Sequence, residues 1–255
     1  LKDQDLPGEL DIPTALIRAL GIEGITGRGV RVAVVDSGIS DGHPHVGHLE
    51  KGVRIDQVDG GGMEVVEDLT DNLGHGTACA GVIRSIAPEC DLISIKILDE
   101  HLLASSCVLI RAIRWVMEEG GCDLINLSLG TRNRKAVPEL RDVCLEALGM
   151  GLIIVAAAGD DRRSDYPASF PGVVGVTSSD GQEVGVSSGM PPTFYASPYP
   201  RTIPGRRREE NFTGPSFASA RITGLIARMI EIDRNLDSWR IMGVLSRAIR
   251  SVSQR

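Results

Sequence analysis

Three segments put reactive residue types at the ends of apolar runs. In the first, Val32-Ala33-Val34-Val35 leads into Asp36, and Ser37-Gly38 then permits a sharp turn. In the second, Asn72-Leu73-Gly74-His75-Gly76-Thr77 sets an imidazole between glycines, where a run of small residues reads as the start of a helix. In the third, Thr213-Gly214-Pro215-Ser216-Phe217-Ala218-Ser219 places a serine in the first turn of another small-residue helix. A carboxylate, an imidazole and a hydroxyl are the groups of nucleophilic catalysis, in which a base must remove the alcohol's proton before it attacks. Helix-end N–H groups beside Ser216 are also placed to stabilise an oxyanion. Each segment has an ordinary reading too: an Asp at a strand-to-loop turn, a His satisfied by its neighbours, and an N-cap serine.

Such residues need a frame to bring them together. Short Val/Ile/Leu-rich runs at 30–35, 91–97, 124–127, 152–156 and 173–176 alternate with helical patterns at 76–84, 105–117, 138–147, 217–231 and 236–248. That alternation predicts an α/β domain with a mostly parallel central sheet and helices on both faces. Gly38, Gly130 and Gly159 at strand exits predict tight loops on the sheet edge where such folds place their sites. With 255 residues, 42% of them hydrophobic, a single domain over 1–255 is expected. Residues 1–28 read as an N-terminal extension packing on it, with no pro-domain. Only two Trp, three Tyr and four Phe are present, so the core must be mostly aliphatic.

Composition excludes several functions. A net charge of −7 disfavours nucleic-acid binding, because the mean field repels phosphates. No apolar run approaches the ~18 residues of a membrane span, and the acidic start at 1–8 lacks the apolar stretch of a signal peptide. Cys79, Cys90, Cys107, Cys122 and Cys144 are odd in number and form no Cys-x-x-Cys pair. Reduced thiols in a cytoplasmic protein follow, the alternative being a secreted mature chain that has lost signal and pro-segment. The Gly27-Arg28-Gly29 cluster precedes a strand instead of following it, and no P-loop occurs, which argues against a nucleotide-binding protein. Residues 187–213 lack periodicity. Their Arg206-Arg207-Arg208 run reads as a solvated loop, or else as a cleavable or partner-binding site.

The chain order Asp36, His75, Ser216, with a Gly-His-Gly-Thr and a Gly-x-Ser-x-Ala motif, resembles the subtilisin-like serine peptidases, the subtilases. The resemblance extends through Ile125-Asn126-Leu127-Ser128-Leu129-Gly130 and Val155-Ala156-Ala157-Ala158-Gly159 to nearly the whole chain. It implies a three-layer subtilisin-like fold and a serine endopeptidase that acts on peptides or proteins without a cofactor, through an acyl-enzyme. Ser216 would be the nucleophile, His75 the base and then the acid, and Asp36 the group that orients the imidazole. Ser128, Leu129 and Gly130 would pair with an extended substrate backbone, and Leu102, Leu103 and Ala104 would form the opposing strand. The oxyanion hole would combine residue 160 with Ser216. Asp165 would line the S1 pocket and attract Arg or Lys at P1; otherwise it is a solvated loop acid beside Arg162 and Arg163.

The chain departs from the family in places that bear on activity. Asp160 stands where Asn is usual, and an ionised carboxylate accepts hydrogen bonds but cannot donate one to an oxyanion. Losing one such donor costs ~10²–10³ in rate. His45 replaces a calcium-ligating Asp, and the insertion expected between Gly81 and Ala87 is absent, so that oxygen-rich site is expected to be missing. His43, His45 and His48 offer a transition-metal reading, weighed against an ordinary surface loop. Pro215 replaces Thr before the nucleophile, restricting Gly214 and removing one backbone donor. Cys79 lies one helical turn beyond His75 on the same face, as in a thiol-containing branch of the family. Asp160 and Pro215 keep a second function open: a degenerate member that binds extended peptides with little or no catalysis.

Overall fold

The first apolar run forms the central strand, β1 (Arg31–Asp36), whose β-branched residues serve two cores at once. Val32 and Val34 enter one hydrophobic cluster, Ala33 and Val35 the other, as alternation along a strand requires. The computed structural model describes residues 12–58, 60–159, 165–179, 184–202 and 210–254. Around β1 lie β2 (Lys51–Gln57), β3 (Met63–Glu67), β4 (Asp91–Lys96), β5 (Leu124–Leu127), β6 (Ile153–Ala157), β7 (Val174–Ser178), β8 (Gly185–Val186) and β9 (Phe194–Ala196). The sheet order is β3-β2-β4-β1-β5-β6-β7-β9-β8. Only the outermost strands, β3 and β8, pair antiparallel.

The helices are α1 (Thr14–Leu20), α2 (His75–Ile86), α3 (Ser106–Trp115), α4 (Val137–Gly149), α5 (Pro215–Ile232) and α6 (Ser238–Ser253). A π-helical turn, Val116–Gly120, prolongs α3. Buried residues of α1, α2, α5 and α6 share one cluster; those of α3 and α4 share the other. The result is a three-layer α/β fold with a mostly parallel sheet, as expected. The five predicted strands and five predicted helices appear, with boundaries moved by a few residues. Missing from the sequence reading were α1 and the edge strands. In β2 the polar Lys51, Arg54 and Asp56 interrupt the apolar run, and β8 and β9 are too short to show a period.

Two features of this frame prepare the site. From β1 the chain first builds one side of the sheet, through β2 and β4, and then crosses to β5 on the other. The carboxyl ends of β1 and β5 therefore flank a topological switch point, where open α/β sheets form a crevice. Above it α2 and α5 meet at Gly224, where a Cβ would lie 2.8 Å from Ile86 Cβ and 3.2 Å from the Ile83 carbonyl. This close crossing brings the first turns of both helices over the crevice. Helix α5 is buried over almost its whole length, so its polar side chains bond inside the protein. Thr223 Oγ1 donates to Asn126 Oδ1 at 2.9 Å, and Ser219 Oγ to the Ser216 carbonyl at 2.8 Å.

Gly224→Ala is expected to lower stability by about 1–3 kcal/mol, because neither the Ile83 backbone nor Ile86 can yield freely. In a chain of this size that is a fall in Tm of roughly 2–4 °C per kcal/mol. Gly149→Ala, which meets nothing within 4 Å at the end of α4, is expected to be neutral or stabilising by up to ~1 kcal/mol. Denaturant titration of the two variants checks the contrast.

Candidate active site

Strand β1 ends on Asp36, which is 0% exposed. Its Oδ1 accepts from the Ser37 N–H at 2.7 Å and shares a 2.7 Å hydrogen bond with Nδ1 of His75, the first residue of α2. Two glycines allow this contact. At Gly38 the φ is +106°, and a Cβ would stand 2.1 Å from the Thr70 carbonyl. At Gly76 a Cβ would stand 2.1 Å from the Gly38 carbonyl and 3.0 Å from Asp36 Cβ. Nothing larger than hydrogen fits between α2 and the end of β1.

The first turn of α2 is held by a residue that sequence reasoning missed. Asp71 Oδ1 accepts from Ser37 Oγ (3.0 Å), Leu73 N (3.1 Å) and Gly74 N (2.9 Å); Oδ2 accepts from Thr77 N (2.9 Å) and Thr77 Oγ1 (2.7 Å). Ser37 Oγ in turn accepts from Gly76 N at 3.0 Å. One carboxylate thus ties the residue after Asp36 to the residues on both sides of His75. Its signal was an Asp just upstream of a helix start, a position that favours anion capping. The imidazole packs against Phe212, edge-on at 5.6 Å between ring centres, and Phe217, tilted at 5.2 Å, while the two phenyl rings stack on each other at 6.2 Å.

Ser216 is the second residue of α5 and is 8% exposed. Pro215 occupies the first helical position, where an N–H would have no partner within the helix, so its missing donor breaks no helix bond. Gly214 has φ 154° and ψ 173°, a positive-φ extended conformation that glycine adopts and side-chain-bearing residues rarely do. Ser216 Oγ donates to the Ser128 carbonyl at 2.9 Å. Among the described residues, no hydrogen bond joins it to His75.

Burial is the largest influence on His75 and works to lower its pKa. The hydrogen bond to Asp36, with the charges of Asp36 and Asp71, outweighs it, and the net position is above the ordinary 6.5. Burial likewise works to raise Asp36, but the His75 hydrogen bond and charge hold it below 3.8. Cys79 Sγ lies beneath this pair, 3.7 Å from Ser128 Oγ, and burial with the Asp36 charge pushes its thiol well above 9.0. Among the described residues, Asp36, His75 and Cys79 alone gather three metal-ligating atoms within 4.8 Å. The imidazole nitrogen is engaged with the carboxylate and the thiol is kept protonated, so a cation would compete with the bond that organises the site.

Beside Ser216 a cavity of about 380 Å³ is lined by Ser128, Leu129, Gly130, Gly159, Asp165 and Pro215, among others. Gly130 is exposed, and a Cβ there would lie 2.8 Å from the Tyr166 carbonyl. Asp165 lines the cavity as expected, but it is buried and both its oxygens are engaged: Oδ1 by Arg132 Nε at 2.6 Å, Oδ2 by Gly159 N at 2.7 Å. It is therefore not a solvated loop acid, and Arg132 was not foreseen as its partner. Leu102 and Leu103 do not line this cavity and do not form an extended strand. Their N–H groups donate to the Asp99 carbonyl (3.0 Å) and Asp99 Oδ1 (2.9 Å), and Leu102 has φ 58° in a turn that leaves Leu103 64% exposed. That expectation is corrected: the Asp99 side chain winds 99–103 into a loop, and Ala104 packs at the margin of a core cluster. Asp160, Arg162, Arg163, Arg206, Arg207 and Arg208, with residues 1–11, lie outside the described residues. His43 and His45 meet edge to face at 5.3 Å, whereas His48 turns to Asp41 at 3.4 Å.

This geometry has relatives. The sequence pattern of the Subtilase family matches residues 27–251, and the chain belongs to that family. It is 31% identical over 222 residues to a thermostable alkaline protease of Halalkalibacterium halodurans, covering 80% of this chain and 57% of that protein. It is 29% identical over 235 residues to subtilisin E of Bacillus subtilis, covering 83% and 58%. It is also 29% identical over 250 residues to an intracellular serine protease of Paenibacillus polymyxa, covering 89% and 74%. The chain thus spans less than two thirds of the first two relatives. A crystal structure of a cold-adapted subtilisin-like serine proteinase has the same fold, with a TM-score of 0.69 at 22% identity over 88% of this chain and 83% of that one. Among the described residues, no helix is long and apolar enough to cross a membrane.

Because Asp36 and Asp71 outweigh burial, the His75 ring is expected to titrate above 6.5. Asp71→Asn, which removes one of those charges, is expected to lower that midpoint. Imidazole proton shifts followed against pH by NMR check both; a midpoint unmoved by the variant would remove Asp71 from the electrostatics of the site.

Proposed function

We propose that this domain is a serine endopeptidase in which Asp36, His75 and Ser216 act as a triad. The observation that carries the reading is the 2.7 Å Asp36–His75 bond, buried beside a serine at a helix N-terminus. The Asp36 bond fixes the imidazole with its proton on Nδ1, leaving Nε2 free to accept. With substrate bound, the Ser216 hydroxyl leaves the Ser128 carbonyl and turns to Nε2. His75 takes the proton as Oγ attacks the scissile carbonyl, then gives it to the departing amine. The Ser216 N–H, at the positive end of an 18-residue helix, faces the charge that develops on the carbonyl oxygen. Asp160 is the second expected contributor there.

The backbone of Ser128, Leu129 and Gly130 is proposed to hold the acyl side of the peptide, with P1 entering the 380 Å³ cavity. Asp165 presents its charge there already paired with Arg132. Selection of Arg or Lys at P1 is therefore expected to be weak in the native protein. It should strengthen in Arg132→Ala, and disappear in Asp165→Asn, when cleavage sites are profiled in a peptide library. The five unpaired cysteines support action in a reducing compartment.

The second reading, a peptide-binding member with little catalysis, draws on the Ser216 hydroxyl being bonded to Ser128 instead of His75. Hydrolysis of a fluorogenic peptide decides between them. Measurable turnover that is abolished by Ser216→Ala, with an acid limb in kcat/KM above pH 6.5, is the expected result. Peptide binding without turnover favours the second reading, and turnover retained in Ser216→Ala would refute the triad.

A further inference from the structure

A second cavity, of about 480 Å³, adjoins His75 through Leu73, Gly74 and Phe212 and shares no lining residue with the 128–130 cavity. Leu73 and Phe212 form its apolar wall toward His75, while His43, His45 and Arg201 give it three basic groups. We propose that this cavity binds a carboxylate of the leaving peptide segment, from an Asp or Glu side chain or from the peptide's own C-terminus. The inference rests on the peptidase reading above, and names a substrate class for it.

Position supports it. Phe212 packs edge-on to His75, and Pro215, three residues on, lines the cavity assigned to the acyl side. The two cavities thus flank the loop before Ser216. A peptide crossing Ser216 with its acyl side along 128–130 must leave over His75 and Phe212, toward the second cavity. With 5.6 Å between the His75 and Phe212 ring centres and ~3.3 Å per extended residue, the groups that pass Phe212 into it belong to about the second or third residue beyond the scissile bond.

Chemistry supports it as well. The chain carries a net charge of −7, yet no carboxylate among the described residues lines this cavity. Asp41, near in sequence, is turned to Leu49 N (2.8 Å) and His48 (3.4 Å). Asn211 Nδ2 donates to the Arg201 carbonyl at 3.1 Å and its Oδ1 accepts from Phe212 N at 2.9 Å, so the segment bearing Arg201 is fixed to the wall beside His75. His43 Nδ1 accepts from His45 N at 3.2 Å, which places the proton of its neutral ring on Nε2, a donor. Burial first, and then the nearby Arg201 charge, hold His45 below its ordinary value. A guanidinium fork matches a carboxylate in two parallel hydrogen bonds.

The test uses internally quenched peptides identical on the acyl side. One set carries Asp, Asn or Lys at the second or third position beyond the scissile bond; a second pair ends there in a free carboxyl or an amide. A peptidyl p-nitroanilide, with no residue beyond the bond, reports the peptidase activity alone. Expected for the native protein is a kcat/KM about tenfold higher for one carboxylate source over its neutral match, the ratio that one charge-assisted hydrogen bond supports. Asp over Asn identifies the side chain as the source, and free carboxyl over amide identifies the chain end. That ratio should fall to near one in Arg201→Gln, and Arg201→Glu should favour Lys. Equal rates within both native comparisons, with the anilide hydrolysed, would overturn the inference while leaving the peptidase reading intact. No hydrolysis of the anilide or of any of the peptides would overturn both.

Discussion

The bond between Asp36 and His75 constrains everything around it. A carboxylate with no solvent contact costs several kcal/mol unless charge and hydrogen bonds compensate. The imidazole supplies both, but it does so from the first residue of α2, where the helix dipole disfavours a cation. Two acids answer that problem: Asp36 in direct contact, and Asp71 through the first turn of the helix. The geometry leaves no slack, because Gly38 and Gly76 bring backbone within van der Waals contact of backbone.

The serine arrives from a different direction and depends on a different constraint. It is carried by α5, the most buried helix, and α5 is registered against α2 by the missing side chain at Gly224. Thr223 then anchors α5 to Asn126 on β5, and Asn126 Nδ2 donates to Ser128 Oγ at 3.0 Å. One buried polar chain therefore links the helix bearing Ser216 to the segment proposed to hold substrate. Because β1 and β5 are adjacent, the same switch point positions Asp36 and Ser128.

Much of this was legible in the sequence because the chemistry coincides with local signals. Asp36 ends an unbroken apolar strand, His75 opens a run of small residues, and Ser216 opens another. Each is a point where periodicity changes. Asp71 left only the signal of an acid just upstream of a helix start, and Arg132 was not legible, since it acts through a partner 33 residues along the chain. The same holds for Asp165: its place in the cavity wall followed from resemblance, but its ion pair with Arg132 depends on the antiparallel bridge between Thr131 and Tyr166. The 102–104 segment was misjudged because Asp99 organises a turn that apolar residues alone do not announce.

The most direct measurement is covalent labelling with a fluorophosphonate, followed by mass-spectrometric location of the adduct. Only a serine hydroxyl activated by a neighbouring base reacts readily. The adduct is expected on Ser216, and labelling is expected to be lost in His75→Ala while the circular dichroism spectrum is retained. An adduct at another residue, no adduct at all, or undiminished labelling of the folded His75→Ala protein would contradict activation of Ser216 by His75.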